Sequence, residues 1–358
     1  MDSWNSEARV AVVIPTTGRA SVKEAVRSAV GQNGVAVEVV VVCDTTTIPP
    51  VVESMADDIE RVICTGGNRG GSFARNLGVA NSRAPYIAFL DDDDEWLPDK
   101  LDLQLKTAEE IQVDGSVPVV TSQVLQRRPG QEPIAIATPR RVIAEGQTPE
   151  DYLFKGRSVT RQRATIATST ILTMRELAQE VRWSEDLRRH QDWDWLVRVA
   201  RRPGVEIRQL EEATVLFTVG SVRSMSSSCD WAASLAWARS FRDTWDGQTY
   251  VDFLASQALR YALQARSVAG AVQIVSEIAR RGRMPRLCSL ASALLGLVPR
   301  RHLERVLNTR AATAPVDPVA EPVIAGGSVA EAMGEAEIAD PVVFVPSQRA
   351  ESREFVRG

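Results

Sequence analysis

The sequence predicts an α/β fold, with a mainly parallel sheet between flanking helices and a helical extension at the C-terminal side. Short β-branched runs alternate with helical patterns through the first half of the 358 residues, which is typical of strands joined by crossover helices. Residues 37–43 form an apolar run, as expected for a strand buried on both faces. Nearly everything in residues 231–307 fits a helical pattern.

The elements of the first half follow in order along the chain. Strands are predicted at residues 10–14, 37–43, 61–64 and 86–90. The first helix is predicted from Ser21 to about Gln32, and a second follows the glycine-rich turn at residues 66–71. A third opens at Leu97-Pro98, because three apolar residues beyond it share one helical face: Leu101, Leu105 and Ala108.

The second half is less regular until its helices begin. Short strands and loops are predicted for residues 117–173, a helix for 191–201 and a strand for 214–219. The helical stretch is predicted to break at Gly247, Gly270, Pro285 and Pro299. These patterns predict an α/β domain at residues 1–225 and a helical region at 226–308. Residues 309–358 lack periodicity, and their composition predicts a largely disordered tail.

Composition excludes several classes of protein. A net charge of −4 and a pI near 5.5 predict no nucleic-acid partner. The four cysteines lack CxxC spacing and there are two histidines, so neither a zinc site nor a disulfide framework is expected. The N-terminus shows no signal-peptide pattern, and we expect a cytoplasmic protein. Residues 280–307 combine arginines with an apolar face, which indicates either a helix packed on the α/β domain or peripheral contact with an anionic membrane.

Four consecutive aspartates, residues 91–94, follow the predicted strand at 86–90. Ligands of open α/β sheets bind beyond the carboxyl ends of the strands. Adjacent carboxylates repel one another unless a cation is present, and hard oxygen ligands suit Mg²⁺ or Mn²⁺ together with substrate phosphates. In an extended run Asp91 and Asp93 point one way and Asp92 the other. The alternative is an acidic turn in which Asp94 and Glu95 cap the next helix.

Four segments, in order, resemble glycosyltransferase family 2, whose fold is the Rossmann-like GT-A fold. Residues 89–98 (Phe-Leu-Asp-Asp-Asp-Asp-Glu-Trp-Leu-Pro) resemble the DxD segment of that family. Residues 12–19 (Val-Val-Ile-Pro-Thr-Thr-Gly-Arg) resemble its opening strand and loop, and residues 68–78 (Asn-Arg-Gly-Gly-Ser-Phe-Ala-Arg-Asn-Leu-Gly) resemble its glycine-rich helix start. Residues 183–187 and 191–196 resemble its late acidic motif. The resemblance covers roughly residues 9–220.

The resemblance implies a role for particular residues. Those implied to bind the donor nucleotide are Pro15, Thr16, Arg19, Asp44, Arg75, Asp91, Asp92 and, in the late flexible loop, Arg223. Asp93 is the implied metal ligand, with Asp91 beside it. The family commonly has two acids where this chain has Cys43-Asp44, so the nucleobase stays open. The residues alone also allow a simple turn role for Asp44 and a surface ion pair for Arg75.

The candidate base is Asp192. Asp192 and Asp194 are two residues apart on a helix, roughly 200° around its axis, so both cannot face one site. Arg198 lies four residues after Asp194 and is a ready partner for it. Asp192 is in the first turn, where it either points into a cleft or stabilises the helix dipole. The resemblance also selects Asp192. Trp193 is a weaker candidate for stacking on an acceptor sugar, although core packing is the commoner role of such a residue.

These observations predict an inverting, metal-dependent glycosyltransferase. It would move a sugar from a nucleoside-diphosphate sugar to the hydroxyl of a glycan, lipid-linked or small-molecule acceptor, as in cell-envelope or glycan biosynthesis. Two alternatives stay open at this point: a catalytically inactive binding module with the same fold, and a phosphatase with a DxD motif. The phosphatase motif requires Thr or Val shortly after the second aspartate, where this chain has Glu95.

Overall fold

The computed structural model describes residues 8–128, 131–134, 136–155, 164–219 and 229–298. Within these ranges nine strands form one sheet. The strands are β1 Val10–Thr16, β2 Val37–Cys43, β3 Arg61–Cys64, β4 Tyr86–Phe89, β5 Glu95–Trp96, β6 Val117–Arg127, β7 Ala137–Thr138, β8 Leu172–Met174 and β9 Val205–Thr218. Their order across the sheet is β3-β2-β1-β4-β8-β6-β9-β5, and β7 pairs with β6.

The sheet is parallel in its first half and mixed in its second. The pairs β3–β2, β2–β1, β1–β4 and β6–β9 are parallel. The short strand β8 runs antiparallel to both β4 and β6, and β5 runs antiparallel to β9. The carboxyl ends of β1, β2 and β4 therefore lie along one edge, where the candidate site forms.

The helices lie on both faces of this sheet. They are α1 Val22–Val30, α2 Pro50–Glu53, α3 Gly71–Ala80, α4 Lys100–Val113, α5 Pro149–Phe154, α6 Arg175–Glu180, α7 Gln191–Val199, α8 Trp231–Ser240, α9 Gly247–Phe253, α10 Arg260–Gln264, α11 Val268–Arg280 and α12 Leu287–Leu294. A π-helical segment, Leu254–Leu259, joins α9 to α10.

Two hydrophobic clusters sandwich the sheet. Val12 of β1 points to a cluster with α1 and α4, while its neighbour Val13 points to a cluster with α3 and α7. This alternation is the period of a strand buried on both faces. The second cluster also contains Trp237 and Phe253 of the C-terminal helices, so those helices share a hydrophobic core with the sheet. The boundaries of the predicted domains stay a prediction.

Most predicted elements of the first half are confirmed within two or three residues. The helix predicted from Leu97-Pro98 begins at Lys100, with Asp99 at its N-cap, and it buries Leu101 and Leu105 as expected. The break predicted at Gly270 is wrong, because this glycine lies inside α11. A Cβ atom there would lie 2.6 Å from the Trp231 ring, so the glycine permits close helix packing.

The short strands and loops predicted for residues 117–173 are wrong in one respect, because β6 is a single strand of 11 residues. The strand predicted at 214–219 is the end of β9, which has 14 residues. Their parallel pairing is interrupted by a register shift around Gln123. Such a bulge disturbs the local alternation that the sequence would otherwise show.

Among the helices of the described ranges, none combines the length and the apolar character needed to cross a membrane. The predicted break at Pro299 and the predicted tail at 309–358 lie outside the described residues.

Candidate active site

The four aspartates follow β4 as a turn, in which the N–H of Asp94 donates to the carbonyl of Asp91 (3.1 Å). The strand itself ends at Phe89, but the four aspartate side chains still alternate between buried and partly exposed, as the sequence predicts. Asp92 and Asp94 are buried, at 3% and 2% exposure, whereas the side chains of Asp91 and Asp93 keep 31% and 25%. Asp91 and Asp93 are therefore the two members that remain open to a ligand.

Asp92 is held by the loop after β1. The Thr16 hydroxyl donates to its Oδ2 at 2.6 Å, and the Arg19 guanidinium lies 3.2 Å from its Oδ1. Burial raises the pKa of Asp92 to about 6, although Thr16 and Arg19 act to lower it. Arg19 also donates to Oδ2 of Asp93 at 3.0 Å. Pro15, which precedes Thr16, is half-buried at the end of β1.

Asp91 is held by the helix after the glycine-rich turn. Nη2 of Arg75 donates to its Oδ1 at 2.5 Å, and Nη1 of the same guanidinium donates to Oε1 of Gln191 at 3.2 Å. The Arg75 guanidinium lies 4.9 Å from the centre of the Trp183 ring. Arg75 is 5% exposed, so the surface ion pair considered from the sequence is wrong. Instead, Arg75 connects the aspartate turn to the first residue of α7.

Asp94 has a structural role that the sequence reasoning missed. Its carboxylate accepts from the Ser169 hydroxyl (2.6 Å) and from the backbone N–H of Thr218 (2.8 Å), so it does not cap the next helix. Ser169 in turn accepts from the backbone N–H of Asp91 at 3.1 Å. Desolvation by burial and the charge of Asp91 raise the pKa of Asp94 well above its ordinary value. No local signal could have shown this, because Ser169 and Thr218 are 75 and 124 residues away.

Asp44, at the end of β2, organises the glycine-rich loop. Its carboxylate accepts from the Thr65 hydroxyl (2.6 Å) and from the backbone N–H groups of Arg69 (2.8 Å) and Gly70 (2.9 Å). Partial burial acts to raise the pKa of Asp44, but these three donors hold it below its usual value. Gly70 has φ +86°, a conformation that favours glycine, and it places the loop at the start of α3. Asp44 therefore fixes the conformation of the glycine-rich loop that borders the candidate site.

Asp192 and Asp194 have different surroundings, as their spacing predicts. Asp194 is 5% exposed and is bound by Ser184 (2.6 Å), Arg198 (2.8 Å) and the Trp237 indole N–H (3.0 Å). The pairing of Asp194 with Arg198 is confirmed. The Asp194 side chain is buried, whereas the Arg198 side chain is partly exposed, so the pair is not a surface ion pair.

Asp192 is half-buried, and its carboxylate accepts from the backbone N–H of the adjacent Trp193 (2.9 Å). Burial raises the pKa of Asp192 to about 6; the charge of Arg75 acts to lower it and that of Asp91 to raise it. Asp192 thus lies within electrostatic reach of the Arg75–Asp91 pair. A carboxylate with few partners and a raised pKa is suited to accept a proton near neutral pH.

The ring of Trp193 already has aromatic neighbours inside the protein. It stacks on His190 with 4.7 Å between ring centres, and it meets Phe154 edge-on at 5.1 Å. It is partly buried against the core cluster, so the packing considered from the sequence is present, while its stacking on an acceptor sugar stays a prediction. Arg223 lies outside the described residues.

The aspartate turn has a donor set that suits a hard cation with substrate phosphates. Within the described residues, no group of three or more His, Cys, Asp and Glu side chains is placed to hold a metal by itself. Asp91 and Asp93 each use one carboxylate oxygen for an arginine and leave the other without a protein partner in the described ranges. Mg²⁺ characteristically takes one or two carboxylates and completes its shell with phosphates and water.

The charge argument made from the sequence needs correction. Arg75 pairs with Asp91, and Arg19 lies against both Asp92 and Asp93. These guanidinium groups offset the repulsion among the carboxylates, so the aspartate run does not by itself require a metal.

Comparison with known proteins points to one family. A family model described as "Glycosyl transferase family 2" matches residues 11–181, which include β1, the glycine-rich helix start and the aspartate turn. Residues 11–181, just under half of this chain, are thus similar to a glycosyltransferase family 2 domain. The match ends before α7, so it does not include Asp192.

Named relatives match only part of their own length. The amylovoran biosynthesis glycosyltransferase AmsB of Erwinia amylovora is 35% identical over 129 residues, covering 36% of this chain and 40% of AmsB. The succinoglycan biosynthesis protein ExoO of Rhizobium meliloti is 40% identical over 91 residues, covering 25% of this chain and 26% of ExoO. This chain thus spans less than half the length of these two relatives.

The fold is that of a solved structure, TarS 1-349 of S. aureus in complex with UDP-GlcNAc. The two share 16% identity and a TM-score of 0.54, over 85% of this chain and 89% of the other. This likeness confirms the predicted GT-A fold with C-terminal helices.

Proposed function

We propose that this chain is an inverting glycosyltransferase that takes its sugar from a nucleoside-diphosphate sugar. The observation that carries the proposal is the position of Asp192, a half-buried carboxylate with a pKa of about 6 within electrostatic reach of Arg75 and Asp91. The Arg75 guanidinium binds Asp91 of the aspartate turn and Gln191, the residue next to the candidate base. The family 2 match favours a transferase over a phosphatase.

In the proposed reaction, Asp192 accepts the proton of an acceptor hydroxyl as that oxygen attacks the anomeric carbon of the donor. The bond from that carbon to the diphosphate oxygen breaks, and the leaving oxygen keeps the electron pair. Arg75 and Arg19 neutralise the charge that develops on the departing diphosphate. One displacement from the opposite face inverts the anomeric configuration.

Asp91 and Asp93 are the proposed ligands of a divalent cation, Mn²⁺ or Mg²⁺, since each has one carboxylate oxygen without a partner among the described residues. When bound, such a cation supplies further positive charge next to the diphosphate. Asp44, Pro15 and Thr16 form the proposed nucleotide edge at the ends of β1 and β2.

The names of the relatives suggest the class of acceptor. AmsB and ExoO are named for amylovoran and succinoglycan biosynthesis, and a third relative, TuaG of Bacillus subtilis, is named as a putative teichuronic acid biosynthesis glycosyltransferase (31% identity over 111 residues). We therefore include in the proposal that the acceptor is a hydroxyl group of a growing glycan, as in cell-envelope polysaccharide synthesis.

A thermal-shift screen of UDP-, GDP- and dTDP-sugars, with and without Mn²⁺ or Mg²⁺, tests the donor site. A ligand that binds only the folded state raises its stability by about 2.7 kcal/mol at a hundredfold excess over Kd. We expect one nucleotide class to raise Tm, with a larger shift when the metal is present. Stabilisation by none of these ligands would contradict the proposal.

Two variants test whether Asp93 binds the metal specifically or whether loss of any acidic side chain has the same effect. Asp93→Asn is expected to remove the metal-dependent part of the shift. Asp102→Asn is the matched control, because Asp102 is an exposed acid on α4 paired with Lys106. Equal metal dependence in Asp93→Asn and the unchanged protein would show that Asp93 is not a ligand.

A further inference from the structure

The helix α12 exposes the leucines at its two ends, while Leu290 between them is partly buried against the core. Leu287 and Leu294 are 85% and 61% exposed, whereas Ser289, Ser292 and Ala293 are buried. Leu287 and Leu294 are seven residues apart and so lie on one face of the helix. A helix packed on a soluble core has the opposite arrangement, with its apolar stripe inward. The packing alternative considered from the sequence therefore accounts for the small residues of α12 and for Leu290, which packs against the core, but not for Leu287 and Leu294.

The exposed apolar surface continues on either side of α12. Met284, in the segment before it, is 77% exposed, and Leu297, just after it, is 60% exposed. On α11, a second exposed stripe is formed by Val268, Val272 and Val275. Large apolar groups left in water at this density usually mark an interaction site. Met284, Leu287, Leu294 and Leu297 are called the α12 surface below.

This part of the chain is basic although the whole chain is acidic. Residues 260–298 contain one acid, Glu277, and six arginines: Arg260, Arg266, Arg280, Arg281, Arg283 and Arg286. Glu277 is buried and paired with Arg239 and Arg280. Neighbouring segments add three acids, of which Asp252 is buried: Asp243, Asp246 and Asp252. The exposed leucines are therefore accompanied by an excess of positive charge.

We propose that the α12 surface docks onto an anionic phospholipid bilayer, with its apolar side chains at the headgroup boundary and its arginines on lipid phosphates. A helix with an apolar face and flanking arginines suits this position, and each arginine near an anionic surface contributes about 1 kcal/mol. A second copy of this chain fits less well, because a two-fold interface places the same patch on both sides and so opposes arginine to arginine. This proposal is independent of the proposed reaction and of its metal.

Vesicle co-sedimentation of the full chain tests the proposal. Vesicles of phosphatidylglycerol and phosphatidylcholine are compared with vesicles of phosphatidylcholine alone. We expect binding to the anionic vesicles, weakened at high salt, and at least tenfold weaker binding to the neutral ones. Arg283→Gln is expected to weaken binding about fivefold, the equivalent of about 1 kcal/mol. Its control is Arg27→Gln, on α1, whose side chain is 70% exposed.

A second pair of variants tests the apolar contact. The double change Leu287→Glu with Leu294→Glu is expected to abolish binding, while Val113→Glu, at an 87% exposed position on α4, leaves it unchanged. Circular dichroism and Tm show that each variant is folded; Leu287, Leu294 and Val113 are all exposed, so we expect no loss of structure. Lack of binding to anionic vesicles, or equal binding by the double variant, would overturn the proposal. A dimer in light scattering that the double variant dissociates would overturn it in favour of self-association.

Discussion

Asp192 and Asp194 lie two residues apart on α7, and neutralising each is expected to have opposite effects on stability. Asp192→Asn removes a charge whose pKa is raised by burial from 3.8 to about 6. At 1.36 kcal/mol per pKa unit, burial of that charge costs about 3 kcal/mol, and partial exposure reduces this to about 1–3 kcal/mol. The variant should therefore be more stable than the unchanged protein at pH 8, although it loses the proposed base.

Asp194→Asn is the matched contrast. Asp194 accepts from Ser184, Arg198 and Trp237, and hydrogen bonds to a buried charge contribute about 1.5–3 kcal/mol each. The Arg198 side chain is 30% exposed, and solvent weakens its interaction with Asp194. We therefore expect the free energy of unfolding to fall by about 2–4 kcal/mol, less than the sum of the three hydrogen bonds. Activity of this variant should fall less than that of Asp192→Asn, which loses about 10²–10⁴-fold as a missing general base does.

Urea unfolding at pH 8, 6 and 4.5 measures both effects. The folded-state pKa of Asp192 lies above its unfolded value, so its ionised form costs stability above about pH 6, and that cost disappears as the pH falls towards 4. The advantage of Asp192→Asn should shrink over the same range. If Asp192→Asn is instead destabilised by more than about 1 kcal/mol at pH 8, the carboxylate is a structural group and the assignment of the base is wrong.

Three further predictions concern the same region. The rate of sugar transfer should fall about tenfold per pH unit below about pH 6, because the base is then protonated, and a pH-rate profile that stays flat to pH 5 would contradict this. Gly78→Ala should destabilise the fold by about 1–3 kcal/mol in urea unfolding, since its Cβ would lie 2.3 Å from Cγ1 of Val13; a loss under about 0.5 kcal/mol would show that α3 is free to shift. Trp237→Phe keeps a ring but removes the N–H that donates to Asp194, and it should cost about 1.5–3 kcal/mol by calorimetry, with the unrelated exposed change Val113→Ala as control.

The first half of the fold could be predicted because its central strands are buried on both faces and therefore appear in the sequence as short apolar runs. Val37–Cys43 is buried along its whole length, and it lies between β1, which is also short and mostly buried, and β3. The sequence predicts only the C-terminal end of the strand Val205–Thr218, because much of this strand is half-exposed and polar. Its register is set by pairing with β6, around a bulge, and pairing across some 90 residues leaves no local pattern.

The site was predicted where its residues are neighbours in sequence and missed where they are not. The turn at Asp91–Asp94 is compact along the chain, and its exposed and buried members alternate as expected. The partners that fix it, Ser169 and Thr218, come from distant elements. The same holds for Asp194, whose nearby partner Arg198 was predicted, while the indole of Trp237, 43 residues away, was not.

The contacts of Arg19 and Arg75 lead to a last prediction, that donor and cation bind cooperatively. Both guanidinium groups now neutralise the aspartate run. A bound diphosphate offers them new oxygens, because arginine binds phosphate as well as carboxylate. When the arginines bind phosphate instead of carboxylate, the aspartate oxygens become available next to the phosphate oxygens. Carboxylate and phosphate oxygens together form the ligand set that Mg²⁺ and Mn²⁺ prefer.

Calorimetric titration of Mn²⁺, with and without the nucleoside diphosphate, measures this coupling. The nucleotide should tighten Mn²⁺ binding by the same factor by which Mn²⁺ tightens nucleotide binding, typically about 5–150-fold. Arg19→Ala removes the competing cation from Asp93, so this variant should bind Mn²⁺ more tightly in the absence of nucleotide; Arg27→Ala, at an exposed position of α1, is the control. Equal Mn²⁺ affinity in Arg19→Ala and the unchanged protein would show that Arg19 does not compete for the carboxylate, and the coupling would then need another cause.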